Sequence, residues 1–345
     1  MLDWFTGNIG YDASNLEVGR IIRIDPNGVK ERDSPTWEKA VGSHEASCQV
    51  STGFPTETML QYAHKQGQKL TPSSTILRVS GNPVKFLQGH NVFGPSVSNM
   101  GPILQTFVRK LPDGLRPVNA HIEELQPVHR SVVDVNVSID LGTHDAVHRW
   151  LHHAGKSTRS RHGRAVTSSG TVYWGKNSKR WALKAYCKHC ELKSHKPHLE
   201  PQVVEELSKY ATGLLRMELR LKRLVLAPMG TLSEDLIWDF WNKITIGIVR
   251  EASEKKMSDM LKNAEKRTLQ NWRAGYDPLA TMSKPSFYRH RSAILKEIGV
   301  DISNPVDTEM DKDINREHFS VDYLRPRAAP KRVPRALEKY LLKVS

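Results

Sequence analysis

Two alternating segments place acidic and basic side chains on the polar faces of strands. Residues 131–141, SVVDVNVSIDL, alternate apolar and polar types, so Asp134 and Asp140 share one face of a predicted strand. The segment 214–226, LLRMELRLKRLVL, alternates in the same way and carries an R-x-E-x-R triplet formed by Arg216, Glu218 and Arg220. Acidic oxygens are ligands that suit Mg²⁺ or Mn²⁺. The alternative interpretation is a set of cross-strand ion pairs on a solvated sheet face.

A third segment adds a tyrosine and a lysine. Residues 181–191 read WALKAYCKHCE, in which Tyr186, Lys188 and Glu191 form the pattern Y-x-K-x-x-E. A tyrosine beside a lysine is a candidate covalent nucleophile for phosphodiester transfer, because a cation stabilises the phenolate while a metal ion polarises the phosphate. The alternative is that Tyr186 is an ordinary packing residue. Taken together, the three segments predict one site for chemistry on a phosphodiester.

Two further metal patterns are weaker. A C-x2-C-x4-H-x2-H spacing, similar to a zinc set, is formed by Cys187, Cys190, His195 and His198. The four residues between its two pairs are far fewer than the roughly 12 usual for such sets, which argues against zinc on these four residues. The triplet 89–91, Gly-His-Asn, suggests a metal-binding histidine, but a histidine that caps a turn is the simpler explanation for His90.

The net charge points to a nucleic-acid partner. The 345 residues carry a formal charge of +14, and residues 149–196 contain twelve Lys and Arg residues against one acid. Tryptophans and tyrosines are interleaved with these cations, as single-stranded DNA binding requires, although a solvated basic face would show the same clustering. The candidate DNA contacts in this segment are Arg149, Arg159, Arg161, Arg164, Lys176, Lys179, Arg180 and Lys184.

Composition and segment patterns exclude several other classes of protein. No window approaches 18 consecutive apolar residues, so no transmembrane helix is predicted, and residues 1–12 lack the pattern of a signal peptide. Only three cysteines are present, which fits a reducing cytoplasm without structural disulfides. We therefore expect a cytoplasmic protein with no membrane partner.

The candidate residues lie on predicted strands and helices whose pattern indicates an α+β fold with a largely antiparallel sheet. Strands are expected over 21–24, 75–79, 131–141, 171–174, 181–186 and 214–226, and helices over 145–154 and 201–211, with a basic loop over 155–170. These elements form a predicted nuclease domain over 1–228. A helical domain over 229–305 and a basic polar tail over 306–345 follow.

The helical domain contains a second candidate DNA contact. In the predicted helix 285–298, apolar residues share one side, whereas Arg289 and Arg291 are expected to be exposed, as in a helix that lies in a major groove. The alternative is an ordinary solvated face on a helix that closes a bundle.

Six segments in order carry a family resemblance. They are residues 1–6 (MLDWFT), 80–94 (SGNPVKFLQGHNVFG), 134–140 (DVNVSID), 170–192 (GTVYWGKNSKRWALKAYCKHCEL), 214–221 (LLRMELRL) and 286–302 (SFYRHRSAILKEIGVDI). Together they resemble the replication initiator proteins of filamentous bacteriophages, the gene II/X-type group, and related phage and plasmid rolling-circle replication proteins. The resemblance extends to about residue 305.

The resemblance implies a site- and strand-specific nickase for rolling-circle replication. Tyr186 would be the nucleophile and Lys188 its electrostatic partner, with Asp134, Asp140 and Glu218 as candidate ligands for Mg²⁺ or Mn²⁺. The His-hydrophobic-His metal motif of the wider superfamily is not present in this chain, and which of the two aspartates faces the metal is left open. The implied partners are double-stranded origin DNA, displaced single-stranded DNA, and a host helicase and polymerase. The alternative function is a non-enzymatic origin-binding or repressor protein.

Overall fold

The computed structural model describes most of the chain. The residues outside the description are 11–19, 66, 68–69, 113–114, 117–126, 162, 247–259, 275, 277, 299, 304–313, 315, 329–330 and 344–345. The described strands are β1 Leu2–Gly10, β2 Arg20–Ile24, β3 Lys30–Pro35, β4 Glu38–Val41, β5 Ser47–Gly53, β6 Ile76–Gly81, β7 Pro127–Asp140, β8 Thr158–Ser160, β9 Gly163–Arg164, β10 Val166–Ser168, β11 Thr171–Trp174, β12 Trp181–Cys187, β13 Leu214–Lys222 and β14 Thr245–Ile246.

The described helices are interspersed among these strands. They are α1 Glu57–Lys65, α2 Pro83–Gln88, α3 Met100–Arg109, α4 His144–Ser157, α5 Lys188–Ser194, α6 Pro201–Ala211, α7 Arg223–Leu226, α8 Leu236–Trp241, α9 Asn263–Arg273, α10 Pro278–Thr281, α11 Lys284–Glu297 and α12 Val321–Arg327. None of them is long and apolar enough to cross a membrane.

Among the described strands, nine form one antiparallel sheet in the order β10-β11-β12-β13-β7-β1-β6-β5-β4. The predicted α+β class with an antiparallel sheet is confirmed. The strands β7, β12 and β13, which carry the candidate chemistry, are neighbours, with Met217 opposite both Val137 and Ala185. This arrangement brings the three motif segments onto one region of the sheet.

One face of this region is apolar and covered by helices. Val135 of β7, Leu183 of β12 and Leu219 of β13, all odd-numbered, are fully buried. Helices α4 and α8 pack on this face, where the rings of Trp174 and Trp241 lie 5.1 Å apart. Since successive strand residues point to opposite faces, the even-numbered polar side chains lie on the other face.

Two local expectations are corrected. The segment 155–170 is not a plain loop, because it contains the end of α4 and the short strands β8, β9 and β10; β8 pairs with β9 and β14. The alternating segment 214–226 is a strand only as far as Lys222, since residues 223–226 turn into α7. Alternation alone did not distinguish the last four residues from a single helical turn.

The predicted boundary at residue 228 differs from the observed cores. Ile237 and Trp241 of α8 are buried in the same core as the large sheet, and β14 pairs with β8. Among the described residues, a second core runs from Leu261 through Phe287 to Ile302. The helical unit described here is therefore α9–α11 with its flanking residues, while α8 belongs with the sheet.

The segment 306–345 is more than a polar tail. Phe319 and Leu324 are buried in the core of the large sheet. Leu337 is buried in a third cluster with Val92, Leu192, Leu207 and their neighbours. That cluster packs the loop after α2 against α5 and α6. The C-terminal residues therefore help to hold this loop and α5, which both contribute to the candidate active site.

Candidate active site

The polar face of β12 and β13 brings the motif tyrosine to the arginine–glutamate triplet. In the ladder, Tyr186 lies opposite Arg216, and Lys184 lies opposite Glu218. On the other side of β13, Glu218 lies opposite Asn136. Glu218 is therefore at the centre of the polar face, with one neighbour on each flanking strand.

Tyr186 is hydrogen-bonded to Glu218. Its hydroxyl donates to Oε1 of Glu218, and the tyrosine is 8% exposed while the glutamate is 2% exposed. Burial, and then the negative charge of Glu218, raise the pKa of Tyr186 well above its ordinary value, whereas the guanidinium of Arg216 acts in the opposite direction. The phenol is thus held neutral, with its proton directed at a carboxylate.

Glu218 also forms an ion pair. The Nζ atom of Lys184 lies 2.6 Å from Oε2 of Glu218. Burial, and then the nearby charge of Asp3, raise the pKa of Glu218 to about 7, although Lys184 and the tyrosine hydroxyl oppose that shift. Lys184, predicted as a DNA contact, therefore belongs to the site itself.

Lys188 is fully buried beside the tyrosine strand. Its Nζ atom donates to Oδ1 of Asn91 at 2.8 Å and to Oε2 of Glu191 at 2.7 Å. Burial and the charge of Arg216 lower the pKa of Lys188. The lysine and glutamate of the Y-x-K-x-x-E pattern thus contact each other, and Asn91 is their link to the rest of the site.

The loop after α2 completes the site. Asn91 donates to Oδ1 of Asp3 at 2.8 Å, while Nη2 of Arg216 donates to the carbonyl oxygens of Asn91 and Val92 at 2.9 and 2.6 Å. Asp3 also accepts from Asn82 at 3.0 Å. Burial acts to raise the pKa of Asp3, but Arg216 and Lys188 outweigh it, so the pKa of this carboxyl is lowered.

Asp3 and Asn91 are site residues that sequence reasoning missed. Both lie in segments that carry the family resemblance, but neither is part of a motif whose spacing indicates chemistry. His90, next to Asn91, is buried, and its Nδ1 accepts from the backbone N–H of Val92 at 3.3 Å. Burial and Lys188 lower its pKa to about 3. His90 thus accepts from the backbone two residues further on, a contact that fits the turn-capping interpretation.

Asp134 and Asp140 are not brought together. They lie six residues apart on β7, about 20 Å along a strand, so they cannot bind one ion together. Asp134 accepts a bidentate pair from Arg220, with Nη2 2.6 Å from Oδ2, and Asp140 pairs with Lys331 at 3.0 Å. For Asp134, the ion-pair interpretation of the alternating acids describes the structure.

The candidate DNA contacts divide into three groups. Lys176, Lys179 and Arg180 are exposed on the turn between β11 and β12, and Arg161 is exposed after β8. Arg149 pairs with Asp145 at 3.3 Å on α4. The side chains of Arg159 and Arg164 lie outside the described part of the structure. The 175–180 turn is thus the described basic surface nearest in sequence to Tyr186.

The two arginines of α11 differ from each other. Arg289 is exposed, whereas Arg291 donates from Nε and Nη2 to the two carboxylate oxygens of Asp301, both at 2.8 Å. The expectation that Arg291 is exposed is wrong, because a bidentate pair with a nearly buried carboxylate holds it within the helical unit. Tyr288, which is 56% exposed, lies next to Arg289 and shares its accessibility.

Sequence comparisons identify the family. The model for the N-terminal part of the phage replication-associated protein, the gene II protein, matches residues 1–244, and the model for the C-terminal part of the same protein matches residues 253–330. The chain belongs to the gene II replication-associated protein family. The resemblance drawn from the six segments is therefore confirmed.

Individual relatives carry the same description. The gene II replication-associated protein of Enterobacteria phage I2-2 is 31% identical over 324 residues, which cover 89% of each chain. The protein of the same name from Enterobacteria phage M13 is 28% identical over 202 residues, 48% of each chain. That of Salmonella phage IKe is 28% identical over 169 residues, 42% of this chain and 38% of the relative.

Proposed function

We propose that this chain cuts one strand of origin DNA with the hydroxyl of Tyr186 and later rejoins it, which starts rolling-circle replication. The observation that carries the proposal is the hydrogen bond from Tyr186 to Glu218 within a site lined by cations. Membership of a family of replication-associated proteins supports DNA as the substrate.

The proposed step is a balanced transesterification. Oη of Tyr186 bonds to the phosphorus, the bond from phosphorus to the 3′ oxygen breaks, and the products are a 5′-phosphotyrosine and a 3′-OH. The phenol proton passes to Oε1 of Glu218, the atom that accepts its hydrogen bond, and from there to the departing 3′ oxygen. Attack of a 3′-OH on the phosphotyrosine reverses these events and reseals the strand.

The cations of the site have separate tasks. Lys184 is 34% exposed, and its Nζ atom lies 5.2 Å from the Tyr186 ring centroid, so it is placed to meet a phosphate beside the nucleophile. Arg216 is the guanidinium whose charge favours the phenolate. Lys188, predicted from the sequence as the electrostatic partner, is fully buried, and its bonds to Asn91 and Glu191 support a positioning role.

The donors around Glu218 fit a hard divalent cation. The charge of Asp3 raises the pKa of Glu218, and buried Asn136 lies opposite Glu218 in the ladder. Carboxylate and amide oxygens suit Mg²⁺ or Mn²⁺, so Asp3 and Asn136 are the residues that would hold the ion, next to Glu218, whose two carboxylate oxygens are engaged by Tyr186 and Lys184. Bound there, it would polarise the scissile phosphate.

DNA is proposed to reach the site along exposed cations. The 175–180 turn supplies Lys176, Lys179 and Arg180 for phosphate contacts that are independent of sequence. On α11, Arg289 and Tyr288 are the exposed candidates for reading the origin duplex. The displaced strand, a host helicase and a host polymerase remain the expected partners.

The experiment that tests the proposal compares nicking of a supercoiled plasmid that carries the phage origin. Tyr186→Phe removes only the hydroxyl, so nicking should be lost while plasmid binding is retained. The matched control is Tyr173→Phe, on the neighbouring strand β11, which should nick normally. Full nicking by the Tyr186 variant would contradict the proposal, and binding without nicking by the unaltered chain would favour a non-enzymatic origin-binding protein.

A further inference from the structure

Two histidines and two cysteines meet behind the strand that carries Tyr186. They are His144, His148, Cys187 and Cys190, whose ligand atoms all lie within 4.8 Å of one another. The Sγ atom of Cys190 lies 3.1 Å from Nε2 of His144 and 3.3 Å from Nε2 of His148. Among the described residues, these four form a group of at least three His, Cys, Asp or Glu side chains that could hold a metal ion.

The spacing of the four residues explains why they meet. His144 and His148 are one turn apart on α4, whose start is fixed by the Thr143 side chain accepting from the backbone of Ala146. Cys187 is the last residue of β12, and Cys190 follows in the first turn of α5. Because α4 packs against β12, the two pairs face each other.

The donor set is that of a zinc ion. Two thiolates and two imidazoles are a common tetrahedral zinc environment, and Zn–S and Zn–N bonds of about 2.3 and 2.0 Å place the ligand atoms roughly 3.3–3.8 Å apart. The nitrogen–sulfur distances observed here are close to that range. Soft thiolates do not suit Mg²⁺, so this cluster is chemically distinct from the carboxylate and amide oxygens around Glu218.

Ordinary packing does not account for the cluster. Both cysteines contact the main apolar core, but His144 is exposed and His148 is half-buried, so the two imidazoles do not serve that core. Cys187 occupies the N-terminal capping position of α5, but its side chain makes no capping hydrogen bond. A third nearby ring, that of His189, is committed elsewhere, with Nδ1 3.0 Å from the carbonyl oxygen of Ser208.

We propose that His144, His148, Cys187 and Cys190 bind one structural Zn²⁺ ion that ties α4 to the junction of β12 and α5. Four protein ligands close the coordination shell, which is the pattern of structural rather than catalytic zinc. The proposed site keeps the two cysteines of the zinc pattern seen in the sequence but takes its histidines from α4. His198 instead pairs with Glu45, 3.0 Å away, and His195 does not belong to the cluster.

The position of this ion relates it to the candidate active site. Cys187 lies between Tyr186 and Lys188 in the chain, and neighbouring strand residues point to opposite faces of the sheet. The ion would lie behind the sheet, on the side away from the Tyr186 hydroxyl, and would hold the backbone from which both Tyr186 and Lys188 project. It therefore supports the site without taking part in the reaction.

The test measures zinc, so its result does not depend on nicking. The full chain is purified without chelators, and its metal content is determined by plasma mass spectrometry; about one zinc per chain is expected. Replacement of zinc by Co²⁺ should produce thiolate-to-cobalt absorption. The double variant His144→Ala with His148→Ala should lose both signals. The matched double variant His195→Ala with His198→Ala, which alters the histidines of the sequence pattern, should keep them.

Thermal unfolding separates metal binding from misfolding. Adding Zn²⁺ to chelator-treated protein should raise its Tm, and the His144/His148 variant should fold but show no such shift. Cys190→Ser provides an independent variant, for which the same loss of zinc is expected. The proposal is overturned if the unaltered chain contains no zinc and takes none up, if the His144/His148 variant retains it, or if Cys187 and Cys190 are isolated as a disulfide.

Discussion

The hydroxyl of Tyr186 donates to Glu218, although the residue directly opposite Tyr186 in the ladder is Arg216, whose guanidinium has no acceptor. Glu218 lies two positions beyond Arg216 on β13 and on the same face of the sheet. Tyr186 and Glu218 are therefore diagonal neighbours on adjacent strands, a distance that long side chains can span. The tyrosine therefore has a proton acceptor at one neighbouring position and a guanidinium at the other. The first prediction concerns this acceptor.

Glu218→Gln keeps the shape of the side chain but removes its charge and its ability to take a proton. Cleavage of an origin oligonucleotide is expected to fall by about 100- to 10,000-fold, the range typical for loss of a general base. Binding of the same oligonucleotide should change far less. Single-turnover cleavage and fluorescence anisotropy measure the two quantities. Parallel losses in cleavage and binding would assign Glu218 to DNA binding or folding instead.

Asp134→Asn tests whether this aspartate is structural. Its bidentate pair with Arg220 is nearly buried on the carboxylate side, so its loss should lower the free energy of unfolding by about 1–2 kcal/mol, with cleavage little changed. Asp140→Asn, whose pair with Lys331 is more exposed, should cost less than about 1 kcal/mol. Urea unfolding and nicking assays provide the comparison. If the Asp134 variant folds stably but does not nick, Asp134 is a metal ligand rather than a structural residue.

The basic turn should contribute salt-dependent, sequence-independent affinity. If six cations of the 149–196 segment touch phosphates, the log–log slope of affinity against salt should be about −4 to −5. Changing Lys179 and Arg180 to Glu should reduce the size of that slope by about 2 and weaken binding to any sequence. Lys39→Glu with Lys110→Glu alters two exposed lysines elsewhere and is the charge-matched control. If the two double variants show equal slopes of affinity against salt, the 175–180 turn does not contact phosphates and is only a solvated basic face.

The two arginines of α11 should behave differently. Arg289→Ala is expected to lower the ratio of specific to non-specific duplex affinity, since each lost base contact is worth about 1–3 kcal/mol. Arg291→Ala should instead lower thermal stability, because Asp301 would lose its bidentate partner. Both affinities are measured at one fixed salt concentration, and unfolding is followed separately. If Arg289→Ala reduces both affinities by the same factor, the helix contacts only phosphates.

The sequence predicted the parts of the site that depend on local periodicity. The two-residue alternation of 131–141 and 214–221 was sufficient to place Glu218 on the polar face of a strand, and the motif spacing singled out Tyr186. Asp3 and Asn91 were missed because their contact joins residues 88 positions apart, which no spacing rule addresses. Similarly, His144 is separated from Cys190 by 46 positions, so a search for nearby histidines selected a different pair.

The division into domains shows the same limit. An amphipathic pattern identified a helix near Ile237 and Trp241, but it carries no information about the core against which that helix packs. The structure buries both residues with the large sheet. Arg291 was expected to be exposed because helical spacing placed it away from the apolar side, yet its partner Asp301 lies beyond the end of the helix.

The most direct test of the account is the identity of the residue that bonds to DNA. The chain is incubated with a single-stranded origin oligonucleotide, the reaction is stopped by denaturation, and the protein–DNA adduct is digested and sequenced by mass spectrometry. We expect a nucleotide attached to Tyr186, with the free 3′-OH on the released fragment and no adduct in Tyr186→Phe. An adduct on Tyr173 or any other residue, or cleavage that leaves a 5′-phosphate without an adduct, would contradict it.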